Sequence, residues 1–572
     1  MSTYKTTERL VVAAIAVLFI LVCYSRFMIY SEIYQPLFLS SFDKTLFPND
    51  IYVADNFFRH GALIFYLILE FVGIILNRID AIHTLYILFV LNNLFCLWIC
   101  YKFARQIGNR LCALLFIVIL FGPFEYLRGA DVSIAYNHIL CGTAFAFPFA
   151  VWSILCFIKR NYTGMLVTLF LASALSVKTG FAIGAPLSIA IGYRLFVDSE
   201  SRIAIYRSLA ILGPIILCLA GFVVFGRDSM HGCDLLEIMI EREGNETDVL
   251  KNIYYIRGRP YYFVFINLVA IWIVKRDSTQ YGWLPVRSLL IAANGLLVLG
   301  IMVSYGSTHY EFLKPFMLLA WPKLAIVPTL FSLVIVTKYV VERDDLNNHK
   351  SINLINLFLF SGIFCAFLNL DLFDRNHQIL RLMLVLFLTV LAFFRLRPNF
   401  IKFRRTNISG IVITVLGLTF SQLAIAGFNA KNIYEEARED RWPSLFYRSP
   451  AGFDKAEWDV AQWLNKQDKM SGLAVFLNLK GEHISIGNLR RFSTVSMYLT
   501  GKASDIYGSC SRKQVVERRI AIVRLWLETG GSENLRKEGV RWIISKKVVS
   551  KILKSKTRNK VFENDKFVVF VI

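Results

Sequence analysis

Long apolar stretches separated by short polar turns run through the first 428 residues of this chain. A peptide in hydrocarbon has no water to bond with, so such a stretch must satisfy its own backbone as a helix. Crossing takes roughly 20 residues. Stretches of this kind read at 8–27, 83–103, 111–123, 139–158, 164–179, 181–196, 204–225, 261–275, 284–304, 313–338, 352–371, 378–395 and 408–427. They predict a polytopic α-helical membrane protein with about 13 transmembrane helices. Composition agrees, since 56% of residues are hydrophobic and 18% charged, where soluble chains carry roughly 25% charged. The net charge of +22 sits in short loops, as at Arg395, Arg397, Lys402, Arg404 and Arg405. That placement is a topology signal, and it argues against nucleic acid as a partner.

The run 61–76 is apolar, contains Glu70, and is followed at once by Asn77, Arg78 and Asp80. If it does not cross and the N-terminus is cytoplasmic, about 21 basic residues fall in inner loops against about six in short outer ones. If it crosses, that asymmetry inverts after the first helix. The charge rule therefore favours a helix lying at or dipping into the outer face. A large outer loop over 29–82 follows, with further outer loops at 123–138 and 226–260, and the C-terminus lies outside the cytoplasm. The first apolar run, from Leu10 to Val22, has no small-residue cleavage site after it and reads as an uncleaved helix.

Composition changes after Phe428. Domains are thus expected at 1–428, in the membrane, and 429–572, a small α/β soluble domain. In the latter, 454–466 and 512–528 have helical spacing, while Leu473–Leu477, Val540–Ser545 and Phe567–Ile572 read as strands. Of ten cysteines, eight fall in apolar segments and read as buried thiols. Cys233 and Cys510 lie outside them and could pair. No spacing suggests a metal site, and no cofactor is implied. The sequons at Asn161, Asn245 and Asn407 are weak, because Asn161 and Asn407 fall on the cytoplasmic side.

Ionisable groups at membrane depth, or in loops packed on it, are costly and so become functional candidates. The first outer loop reads FPNDIYVADNFFRH over 47–60. Asp50 and Asp55 there are flanked by aromatics, whose partial desolvation raises a carboxyl pKa and suits a general base. Asp50 could equally cap a following helix. The second outer loop, PFEYLRGADVSIAYNH at 123–138, offers Glu125, Arg128, Asp131 and His138. Arg128 suits a phosphate oxygen, and an ion pair between Glu125 and Arg128 is the competing reading. Lys178 falls between two apolar segments, where a lysine often only snorkels to water. His309 lies in the outer turn HYEFLK at 309–314.

This organisation resembles the glycosyltransferase C superfamily. The resemblance rests on the FPND stretch at 47–50 followed by IYVAD, and on AEWDVAQWLNK at 456–466, AVFLNL at 474–479 and RRFSTVSMY at 490–498. It implies a polyprenyl-phosphate-linked sugar donor, inversion at the sugar carbon, and a catalytic acid at the position matched by Asp50, with Asp55 as rival. It places the chain in a bacterial inner membrane with the C-terminal domain periplasmic. Arg128, and Arg490 or Arg491, would hold the donor phosphate. The paired-acid motif of the metal-dependent branch is missing, so no metal is expected. The expected partners are the bilayer, the lipid-linked sugar, and a glycan, lipid or protein acceptor. Alternatives are a flippase or transporter of a lipid-linked glycan, a glycan polymerase of another class, or a non-catalytic membrane subunit. A transport path predicts charges at helix centres, whereas most ionisable residues here fall at segment ends.

Overall fold

The computed structural model describes residues 81–121, 142–197, 202–207, 259–276, 284–307, 309–313, 324–342, 455–467, 472–477, 498, 510–547 and 559–572, with 65, 67, 68, 71 and 72. The membrane part contains α1 (Ala81–Ile107), α2 (Arg110–Phe121), α3 (Gly142–Ile158), α4 (Tyr162–Leu175), α5 (Val177–Val197), α6 (Arg259–Arg276), α7 (Leu284–Gly306) and α8 (Ile326–Glu342). By length and hydropathy, Ile87–Ile107, Val177–Val197 and Leu284–Val303 can each cross a membrane. Gly142–Ile158, Tyr162–Leu175 and Ile326–Tyr339 are shorter apolar helices. The protein is a helical membrane protein.

Short connections fix how these helices run. Between α1 and α2, Asn109 accepts from the Cys112 amide at 2.9 Å and so caps α2. Between α3 and α4, Arg160 takes a left-handed backbone (φ 61°) and Asn161 accepts from the Gly164 amide at 3.0 Å. The sequon asparagine is thus a helix cap. Both turns lie at one end of the bundle, with Lys102, Arg105, Arg110, Lys159 and Arg160 in or beside them. The middle of α8 packs near that end, where Phe331 meets Phe103 (5.4 Å) and the Val334 carbonyl faces the Cys112 thiol (3.8 Å). Trp272 of α6 packs edge-on to Tyr339. Lys102 lies 6.0 Å from the Trp98 ring, which meets Trp152 edge-on. Paired aromatic and basic side chains at one depth are typical of a membrane–water interface.

Between α4 and α5 stands Ser176 alone, its backbone extended (φ −159°, ψ 107°). The break falls there and not at residue 180, so Lys178 belongs to the first turn of α5 and not to a loop between segments. Ser176 supplies the reason: its amide closes α4 on the Ala172 carbonyl while its own carbonyl opens α5 on the Gly180 amide. The two helices then close tightly, since a Cβ on Gly180 would lie 2.2 Å from Ser173 Oγ and 2.6 Å from its Cα. Polar side chains join α6, α7 and α8. Asn267 donates to Asn294 Oδ1, Ser332 donates to Asn267 Oδ1 at 3.0 Å, and Asn294 also donates to the Leu290 carbonyl. Such bonds contribute roughly 0.6 kcal/mol each, and together they set how these three helices are rotated.

In the 61–76 run, the described positions 65, 67, 68, 71 and 72 are helical. Phe65 is fully buried and meets Phe145 (5.3 Å), close to the start of α3 and far from the basic turns. Leu67 and Phe71 are exposed. The free thiols of Cys96, Cys100, Cys112 and Cys156 are buried.

The C-terminal part contains α9 (Lys455–Asn465), β1 (Leu473–Leu477), α10 (Cys510–Thr529), α11 (Glu533–Lys537), β2 (Val540–Lys546), β3 (Asn559–Glu563) and β4 (Phe567–Val571). The sheet order is β1-β2-β4-β3, with β1 parallel to β2 and the other pairs antiparallel. Alternation along the strands divides the core. Leu473, Val475, Ile543, Val568 and Phe570 pack with Val523 and Trp526 of α10. Ala474, Trp542, Ile544, Phe567 and Val569 pack with Val460 and Leu464 of α9 on the opposite face. Strands buried on both faces read as the continuous apolar runs seen in the sequence. The Tyr498 amide donates to the Ala474 carbonyl at 2.8 Å, which anchors the end of the 490–498 stretch on β1. On edge strand β3, Lys560 (2.5 Å) and Lys547 (3.1 Å) pair with Glu563.

Two predictions follow from this packing. Gly180→Ala forces α4 and α5 apart and lowers stability by about 1–3 kcal/mol, measured as a fall in melting temperature in detergent. Hydrogen bonds from Lys560, then Lys547, lower the Glu563 carboxyl from 4.5 to about 2. A depressed folded-state value contributes stability above the ordinary carboxyl range, and that contribution disappears as pH falls from about 4.5 through about 2. An NMR titration of Glu563 reads the low midpoint directly, and Glu563→Gln removes its share of the acid dependence.

Candidate functional site

The end of the bundle opposite the basic turns carries a polar cluster where α3 begins and α4 gives way to α5. Thr143 Oγ1 and Ser176 Oγ are 3.3 Å apart, and the Thr179 hydroxyl donates to Ser176 Oγ at 3.1 Å. Half-buried Lys178 lies between Ser176 and Thr179 in sequence, in the first turn of α5. A helix N-terminus repels a cation and attracts an anion. An ammonium and a helix end sharing one phosphate oxygen convert that repulsion into binding, with the neighbouring hydroxyls as further donors. The cluster is therefore suited to an anionic headgroup.

His309 is exposed in the turn after α7, its ring 5.3 Å from Tyr305 and its amide on the Gly306 carbonyl. Because α5 begins and α7 finishes at the same end of the bundle, Lys178 and His309 share that end. Asp50, Asp55, Glu125, Arg128, Asp131, His138, Arg490 and Arg491 lie outside the described residues. Among the described residues no group of three or more His, Cys, Asp or Glu side chains could hold a metal ion.

Sequence reasoning passed over the hydroxyls of Thr143, Ser176 and Thr179. The signal was present: SVKT at 176–179 places a serine three residues before a threonine at a helix start, the pattern of an N-cap. Arg194, near the end of an apolar segment, is fully buried within α5. The apolar residues Tyr193, Phe196 and Val197 around it continue the helix past the charge.

In C-terminal strand β2, Trp542 has Arg541 5.6 Å from its ring. Beneath α10, the Arg519 guanidinium donates to the Tyr498 carbonyl at 2.9 Å and stacks 4.6 Å from the Tyr498 ring. Burial, with Glu538 nearby, raises the Tyr498 hydroxyl well above its ordinary range. These contacts hold the 490–498 stretch, which contains Arg490 and Arg491, at its C-terminal end.

No protein-family profile and no curated protein matches the chain. Solved structures do match over its whole length. At 11% identity the likeness is one of fold. The chain is similar to ArnT from Cupriavidus metallidurans in the apo state, with a TM-score of 0.53, 11% identity, and coverage of 100% of this chain and 98% of the other. It is also similar to the same protein bound to undecaprenyl phosphate, with a TM-score of 0.52, 11% identity, and coverage of 99% and 98%.

Proposed function

We propose that the chain is a membrane glycosyltransferase that moves a sugar from a polyprenyl-phosphate donor to an acceptor at the outer face of a bacterial inner membrane. One observation carries this reading: likeness along nearly the full length to a fold with undecaprenyl phosphate bound. The polar end around Lys178, Ser176, Thr143 and Thr179 supports it, because a lipid phosphate arriving at that depth needs a cation and hydroxyl donors.

In the reaction, the acceptor oxygen attacks the anomeric carbon from the face opposite the phosphate. The bond from that carbon to the phosphate oxygen breaks, and polyprenyl phosphate departs with the electron pair. The configuration inverts. Asp50, with Asp55 as alternative, takes the acceptor proton. The departing phosphate gains charge as the bond breaks, so cations aimed at it lower the barrier. Lys178 has that role together with Arg128 and Arg490 or Arg491, while Glu125, Asp131, His138 and His309 contact sugar or acceptor hydroxyls. The 429–572 domain covers the site from the periplasmic side, and no metal or cofactor takes part.

Reconstitution with labelled polyprenyl-phosphate sugars tests the scheme. Asp50→Asn is expected to lose about a hundredfold or more in transfer rate, and full transfer by that variant removes Asp50 from the mechanism. Lys178→Gln is expected to raise KM for the lipid donor about tenfold with a smaller effect on kcat, as for loss of a charge-assisted bond already made in the ground state. Movement of intact lipid-linked glycan across the vesicle without transfer would favour a flippase instead.

A further inference from the structure

Arg194 is the only fully buried charged side chain among the described residues of α1–α8. Its Nη1 donates to the Tyr162 hydroxyl at 2.8 Å, and the guanidinium carbon lies 5.4 Å from the Phe157 ring. Nε and Nη2 have no acceptor. A desolvated cation left with unused donors is costly at membrane depth, and such residues mark sites whose partner is an anion. Tyr162 is the first residue of α4, so the hydroxyl that Arg194 meets is carried by the first turn of a helix, whose N-terminal partial positive charge also favours an anion. Exposed Lys159 and half-buried Arg160 form the turn just before it. All of this lies at the basic end of the bundle, remote from the cluster around Lys178.

We propose that Arg194, the Tyr162 hydroxyl and the N-terminus of α4 form a second anion site, for a phosphate group at the inner face of the membrane. The neighbourhood favours a phosphate carried on a lipid. Phe196 is 86% exposed and Val197 55% exposed at the last turn of α5, an apolar surface on which acyl chains can lie. Basic pockets between membrane helices on the cytoplasmic side recognise anionic headgroups in this way. The guanidinium is covered in this structure, so a phosphate reaches Nε and Nη2 on local opening beside Phe157 and Tyr162. The site is a structural lipid site, separate from the transfer reaction, and the glycosyltransferase reading stands or falls without it.

The test uses the purified full-length chain. Native mass spectrometry with equimolar phosphatidylglycerol and phosphatidylcholine is expected to show about tenfold preferential retention of the anionic lipid. Arg194→Met is expected to lose that preference, whereas Arg287→Gln, a basic residue on α7, retains it. Inorganic phosphate in detergent provides the second arm. Thermal stabilisation of the parent chain by phosphate alone, absent in Arg194→Met, would support the site with a free anion as its occupant. Should Arg194→Met fail to fold, Tyr162→Phe, which keeps the ring and removes the hydroxyl, replaces it and is expected to weaken retention. Equal retention of both lipids by the parent chain, with no stabilisation by phosphate, would overturn the proposal and leave Arg194 a packing residue.

Discussion

Hydrocarbon offers a peptide no hydrogen-bonding partner, and the membrane part of this protein follows from that constraint. Every apolar stretch must close its own backbone bonds as a helix, and every helix end must reach water or find a cap. The caps are correspondingly specific: Asn109 for α2, Asn161 for α4, and Ser176 serving both α4 and α5. Helix association in lipid gains little from burying apolar surface, so contact depends on close approach and a few polar bonds. Gly180 against Ser173 supplies the first, and Asn267 with Asn294 and Ser332 supplies the second.

These rigid hairpins give the bundle two chemically different ends. One collects lysines and arginines around the α1–α2 and α3–α4 turns, with Trp98 and Trp152 beside them. The other carries the Thr143, Ser176 and Thr179 hydroxyls with Lys178 in the same helix turn, and His309 at the same end. A donor whose reactive part is a phosphate at the membrane surface needs the second kind of end, and a chain oriented by positive charge needs the first. In the proposed scheme the same short turns thus serve both topology and chemistry.

Much of the fold was legible because lipid simplifies the problem. Residue counts gave most of the described helices within about five positions, though α8 begins at Ile326 and not near 313, while the segments at 8–27, 352–371, 378–395 and 408–427 lie outside the described residues; continuous apolar runs gave β1, β2 and β4. Edge strand β3 was missed because NKVFE is half polar, as an exposed edge must be, and has no apolar run to betray it. The α4–α5 break was misplaced because hydropathy is nearly uniform across 164–196, while a single serine cap decides where the helix stops. The burial of Arg194 was not legible, because charge usually signals a segment end and burial of a lone guanidinium depends on what packs around it.

The amino-acid order alone determined that this chain enters a bilayer, that its basic turns lie together, and that its C-terminal part alternates strand and helix. Those outcomes depend on local composition, which solvent reads residue by residue. Tertiary structure alone decided that Thr143 meets Ser176 and Thr179 where α5 begins, and that Arg194 lies inside the bundle against Tyr162. Both arrangements depend on the rotation and approach of separate helices, which are set by side-chain contacts between residues far apart in the chain.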